Sequence, residues 1–274
     1  MAYMGDLKQA VLFGGSTVYG DPLGDTWIWS NGCWTQKFPA HSPHPQHYVV
    51  MAYDGARGVA VMYTPGIPSP TEQATWTWDG TDWTKAADGP GIESAPASIA
   101  YDQANRDVVL FGAVDNSGGT GTWTWSGSSW RTMNPLHAPP ARRDAAMASD
   151  PKTSNVLLFG GMTFADGQQN NDTWRWDGID WTKLNPSASP AAREGAAMAS
   201  FVARSQVLLV GGWAAAPFSD VWEWDGSNWQ QVANIGPRQN ASAVDTGQSV
   251  LVFGGTLQNK ANTDSWDGVT WSNQ

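Results

Sequence analysis

One cysteine, Cys33, among 274 residues leaves no intrachain disulfide and no zinc site built on thiolates. No apolar run reaches 18 residues, so the sequence offers no membrane-spanning helix. Cations are scarce: 15 Lys and Arg face 25 Asp and Glu, and the formal charge of −10 repels phosphate backbones and anionic lipid heads. Neither nucleic acid nor a membrane is therefore expected as a partner. Glutamate is nearly missing as well: 21 of the 25 acids are Asp, the carboxylate of turns, and four are Glu, a helix former. The opening Met1-Ala2-Tyr3-Met4-Gly5-Asp6 shows no basic-then-apolar leader. A cytoplasmic protein is expected, and a secreted one whose leader had been removed would read the same. No Gly-x-Ser-x-Gly elbow, phosphate-cradling Gly-Lys-Ser/Thr loop or dinucleotide fingerprint occurs, which removes support for the familiar nucleophilic and nucleotide-dependent chemistries.

What the chain does hold is 18 Trp, 30 Gly and 17 Pro, a mixture that argues against helical bundles. Seventeen of the tryptophans belong to one phrase used six times, first as Thr26-Trp27-Ile28-Trp29-Ser30-Asn31-Gly32-Cys33-Trp34; only Trp213 stands outside it. The closing Trp residues fall at 34, 83, 130, 181, 229 and 271, so the steps are 49, 47, 51, 48 and 42. An apolar run ending in small residues keeps the same beat, as in Leu157-Leu158-Phe159-Gly160-Gly161. A third phrase of small residues precedes it, as in Ala145-Ala146-Met147-Ala148-Ser149-Asp150. Each unit thus carries four strand-length pieces, and Trp-x-Trp alternation places two rings on one side of a strand.

Residue size grows along each unit, from Ala, Gly and Ser through Val, Leu and Phe to Trp. Sheets standing radially around an axis need that taper, because the space between them widens outward while packing density stays near 0.74. The steps Asp79-Gly80, Asp177-Gly178, Asp225-Gly226 and Asp267-Gly268 suit the hairpin between strands three and four, since Gly accepts positive φ. One domain over 1–274 is expected, an all-β, six-bladed propeller with four antiparallel strands per blade. Its blades fall near 1–38, 39–88, 89–135, 136–186, 187–232 and 233–274.

The order Arg-x-x-Ala-Ala-Met-Ala, Val-Leu-Leu-Phe-Gly-Gly, Asn-Asp-Thr-Trp-x-Trp-Asp-Gly-x-x-Trp resembles the kelch repeat of bacterial proteins. It is plainest over 142–181 and 193–229. The likeness covers essentially the whole chain and implies a kelch-type propeller. It says little of function, because kelch propellers include adaptors, sugar-binding modules and a few enzymes. Unit 2 departs from it with Thr64-Pro65 in place of Gly-Gly, and unit 6 has Asp264 where its first Trp would stand. Each blade is read as one contiguous stretch, so ring closure rests on packing of unit 6 against unit 1.

Strand alternation puts the loops between strands two and three on the same face as the links between blades. These loops are long and unlike one another, and loops on a rigid scaffold carry function. Tyr19, Phe164, Trp213 and Phe218 lie in them. At the entrance to the innermost strands stand Gln46-His47-Tyr48, Glu93-Ser94, Arg142-Arg143-Asp144, Arg193-Glu194 and Arg238-Gln239-Asn240. Arg142 or Arg143, with Arg193 and Arg238, could present guanidinium forks that clamp a carboxylate. Glu194, His47 and Asp144 are the candidate acid and base groups, with Glu93 a further acid near the axis. His41, His44 and His47 share one inter-blade link, but two prolines stiffen it and no carboxylate accompanies it locally, so it reads as an ordinary polar loop. No metal or cofactor is expected.

These features predict a rigid binding module that takes a protein segment or a small or carbohydrate ligand at the axial funnel. The alternative is a metal-independent isomerase, lyase or cyclase acting on a small anionic substrate there. Oligomeric state leaves no mark in the sequence.

Overall fold

The computed structural model describes residues 1–17, 19–66, 73–92, 97–114, 119–255 and 262–274. Six four-stranded antiparallel sheets follow one another along the chain, each with its strands in sequence order. They span 2–37, 50–88, 98–133, 146–184, 197–234 and 242–273 and are numbered here as blades 1 to 6. Their innermost strands surround a channel of about 270 Å³, to which all six contribute. The fold is the all-β, six-bladed propeller that the repeats imply.

The tryptophan phrase builds the outer half of every blade. The second Trp of strand three lies opposite the Trp of the outermost strand, from Trp29 opposite Trp34 to Trp266 opposite Trp271. Ring centroids in these pairs are 5.2 to 5.5 Å apart in all six blades. The turn between the two strands is set by aspartate: Asp79 Oδ1 accepts the N–H groups of Thr81 and Asp82 at 2.7 and 3.0 Å. Asp177, Asp225 and Asp267 repeat this, and Gly80 takes φ +105° beside it. These aspartates are turn formers, as their sequence context indicates.

Packing runs between blades rather than within them. Val11, Phe13 and Ile28 of blade 1, for example, form one buried cluster with Met62, Trp78 and Trp83 of blade 2. Five such clusters hold nine or ten buried residues each among the described residues, whereas the cluster joining blade 6 to blade 1 holds four. That seam is the thinnest part of the ring.

A hydrogen bond repeats with the packing. The indole Nε1 of the outermost strand donates to a threonine hydroxyl in strand three of the preceding blade. The pairs are Trp83 to Thr26, Trp130 to Thr75, Trp181 to Thr122 and Trp229 to Thr173, at 2.7 to 2.9 Å. Trp34 donates to Thr263 at 2.8 Å, and its ring lies 5.0 Å from that of Phe253, so blade 1 locks onto blade 6 by the same device. The series breaks once. Val221 stands where blade 5 would carry the threonine, and the buried Nε1 of Trp271 has no partner.

Restoring the acceptor tests this account. Val221→Thr is expected to stabilise the fold by about 1 kcal/mol, the net worth of one buried hydrogen bond, raising the melting temperature by roughly 2 °C. Thermal denaturation followed by tryptophan fluorescence checks it, and an unchanged or lower midpoint contradicts it.

Candidate ligand site at the axial mouth

The Gly-Gly pairs that end the second strands shape the entrance to the channel. Gly160 and Gly161 have φ of +66° and +89°, and Gly211 and Gly212 have +63° and +105°. This conformation is open to Gly at no steric cost, and it turns one carbonyl inward. The Gly160 carbonyl accepts Arg142 Nη1, and that of Gly211 accepts Arg193 Nη1, both at 2.9 Å. The next N–H in each pair binds the following blade instead: Gly161 donates to the Arg193 carbonyl and Gly212 to that of Arg238.

Each of these arginines is otherwise consumed by an aspartate. Arg142 grips Asp172 through both Nη atoms at 2.6 and 3.0 Å, and Arg193 grips Asp220 at 2.6 and 2.8 Å. Phe218 covers the Arg193 guanidinium, with its ring centroid 3.9 Å away. Arg238 bonds Asp264 and the Gly254 carbonyl. All three arginines are buried, between 1 and 2 % exposed. Each ties the entry of its innermost strand to strands two and three of its own blade, so its fork is spent internally. Burial raises the pKa of Asp172 and of Asp220, but hydrogen bonds and charge from their arginine partners outweigh it and leave both below the ordinary carboxylate range. Removing one partner would strand a buried charge, a change that costs about 3–5 kcal/mol.

Arg143 is different. Its side chain is 37 % exposed, and its guanidinium lies 3.3 Å from Asp144 and 3.5 Å from Glu194. Gln169 donates to the other Glu194 oxygen at 3.4 Å. The backbone sets this cluster: Asp144 takes φ +54°, and its carbonyl accepts the Gly195 N–H at 2.9 Å. Gly195 in turn accepts from Asn240 at 2.8 Å, and Tyr48, Asp144, Gly195 and Asn240 all have positive φ at corresponding places in their blades. Glu194 is pinned by a two-way backbone pairing with Trp213 at 2.8 and 3.0 Å. Burial pushes the Asp144 carboxyl up to about 6; the Arg143 charge opposes this and the nearby Glu194 adds to it.

The other expected residues are dispersed. His47 sits in blade 2, its Nδ1 3.3 Å from Ser16 Oγ and its ring 5.8 Å from that of Tyr48. His41 is held on Asp82 at 2.8 Å, so the three-histidine link does not converge. Tyr19 is 90 % exposed. Phe164 is half-buried, with its N–H bonded to the Ala141 carbonyl at 3.1 Å. Glu93 and residues 67–72, 115–118 and 256–261 of the loops between strands two and three lie outside the described residues.

Sequence reading missed the aspartate partners of the arginines, although a signal was present. Arg142 with Asp172 and Arg193 with Asp220 occur together, whereas blade 2 has lost both, with Gln46 and Ala74 at those places. Blade 6 has Asn262 at the aspartate position and Asp264 two residues on, where it displaces a tryptophan yet still reaches Arg238. A small ribbon pairing Arg142–Arg143 with Met162–Thr163 was also not foreseen.

No protein-family model matches this chain, and no curated protein is found similar to it.

The raised pKa of Asp144 has a sign that can be checked. At pH 7 the folded state holds this group ionised against its preference, so the penalty is present above about 6 and disappears as pH falls towards the ordinary aspartate value of 3.8. Asp144→Asn tolerates the positive φ and is expected to stabilise the protein at pH 7 by up to about 3 kcal/mol. The gain should shrink to about 0.5 kcal/mol at pH 4, and denaturant titration at both values provides the measurement.

Proposed function

We propose that the chain is a kelch-type propeller serving as a rigid binding module, with a protein segment or a small or carbohydrate ligand held at the axial mouth. The observation that carries this reading is the cluster of Arg143, Asp144 and Glu194. Among the described entrance residues these charges stand outside the arginine–aspartate framework, partly exposed, with Met162 against Arg143 and Trp213 paired to Glu194. A guanidinium flanked by two carboxyls suits a ligand that presents both donors and acceptors, such as a peptide backbone or a sugar hydroxyl pair. The −10 charge argues against nucleic acid, and a single cysteine suits a reducing, cytoplasmic setting.

Saturation-transfer NMR against dipeptides and neutral monosaccharides tests the site. Compounds that bind there should lose at least tenfold in affinity in Glu194→Gln, about 1.4 kcal/mol, with an unchanged melting temperature. Equal binding by wild type and variant refutes the assignment.

One observation favours a second reading, metal-independent acid–base chemistry as an isomerase, lyase or cyclase. Asp144, with its pKa near 6, adjoins Glu194, and two carboxyls with separated pKa values can divide acid and base roles. With three of the four entrance arginines committed to aspartates, Arg143 is the one left to receive an anionic substrate.

A further inference from the structure

At five of the six junctions between blades, a side chain from the turn between strands one and two lies over the outer hairpin of the next blade. Leu7 covers Gly80, Arg57 covers Gly127, Asn105 covers Gly178, Lys152 covers Gly226 and Arg204 covers Gly268. Each comes so close that a Cβ on the glycine would collide with it. Three of them also hydrogen-bond across: Asn105 to the Asp177 carbonyl, Lys152 to that of Asp225 and Arg204 to that of Gly268. At the sixth junction, from blade 6 to blade 1, the hairpin carries Asn31-Gly32, and nothing lies within 4 Å of a Cβ built on Gly32.

The cause is a shorter turn. The strand-two residue opposite the second Trp of strand three pairs inward with a residue seven positions earlier in blades 1 to 5. Examples are Ala60 with Tyr53, and Val207 with Ser200. In blade 6, Val250 pairs with Asp245, five positions earlier. The turn Thr246-Gly247-Gln248-Ser249 is two residues too short to reach across.

A cavity of about 650 Å³ stands open where the covering side chain would lie. Its size is within the range of small-molecule sites, about 300–1,000 Å³. Among the described residues that line this wall, Lys8 is the one charged side chain; the Asp245 carboxylate lies behind it, bonded to the Gly247 N–H at 2.7 Å. Asn31, Gln248 and Tyr3 also line it and bring amide and hydroxyl groups to the site. Trp29 and Leu251 form its apolar floor. Trp29 is 8 % exposed, whereas its counterparts Trp78, Trp125 and Trp176, beneath covering side chains, are at 0 %.

We infer that this seam cavity binds a small acidic sugar, a ligand with several hydroxyls and one carboxylate. The Lys8 ammonium pairs with the carboxylate, Asn31, Gln248 and Tyr3 exchange hydrogen bonds with hydroxyls, and the indole edge meets the C–H face of the ring. The site lies on the face opposite the axial mouth and stands whether or not that mouth binds a ligand.

Isothermal titration of the 274-residue chain with glucuronate and with glucose tests the inference. Glucuronate should bind saturably and about tenfold more tightly than glucose. Lys8→Met should bring the two together without moving the melting temperature. A variant whose blade 6 turn is lengthened by two residues and given an arginine at the place of Arg204 should lose both. Glu194→Gln should bind glucuronate as wild type does, which separates this site from the axial one. No saturable glucuronate binding by wild type, or undiminished binding by Lys8→Met and the lengthened turn, overturns the proposal.

Discussion

An indole that reaches back to the preceding blade is the contact on which the ring depends. The tryptophan of each outermost strand packs against the aromatic or aliphatic residues of strand two next door. In five of six junctions it also donates its Nε1 to a threonine there. Phe13 with Trp83, Phe111 with Trp181 and Phe159 with Trp229 meet edge-on at 5.3 to 5.5 Å, and Phe253 meets Trp34 in a tilted pair at 5.0 Å. Because the bond joins blades rather than strands of one blade, no sheet satisfies its own outer edge. Each blade needs a neighbour, and a closed ring supplies one to all. Blade 1 closes on blade 6 through Trp34 with no exchange of strands.

This dependence explains why blade number and architecture could be read from the sequence and why the site could not. Trp27, Trp29 and Trp34 announce a unit by their spacing, and five further copies leave few alternatives to a radial array. The entrance arginines offer no such help. Arg142 and Arg143 are adjacent and chemically identical, yet one is 2 % exposed and spent on Asp172 while the other reaches Asp144 and Glu194 at the mouth. Strand alternation says that neighbours point differently, but it does not say which one points inward. That depends on the Gly160 carbonyl and the Asp172 carboxylate, which lie 18 and 30 residues away in the chain.

Comparison between units carries more information than any single unit. Blade 2 has lost arginine and aspartate together, and blade 6 has moved its aspartate two residues along strand three while keeping the contact. Such paired changes mark a structural role, since a ligand-binding arginine would have no reason to follow an internal acid. Arg143 shows no such pairing, because its equivalents Glu194, Gln239 and His47 differ in every described blade. Variation at that position is what a functional mouth built on a repetitive frame would produce.

The same comparison locates where the repeat gives way. A propeller of identical blades would present six equal junctions, each buried core covered by a side chain laid over the next hairpin. The shortened turn of blade 6 removes one cover, and the junction it exposes is also the one with the smallest buried core. Those two features coincide for a physical reason. A side chain that bridges two blades restrains their separation, so a junction without one relies more heavily on the few apolar residues left, Ala10, Trp29, Val244 and Leu251. Retaining such a gap costs stability at the point where the ring must close. A ligand held between Lys8 of blade 1 and Gln248 of blade 6 would offset that cost by bridging the blades, and binding there would be coupled to the integrity of the ring.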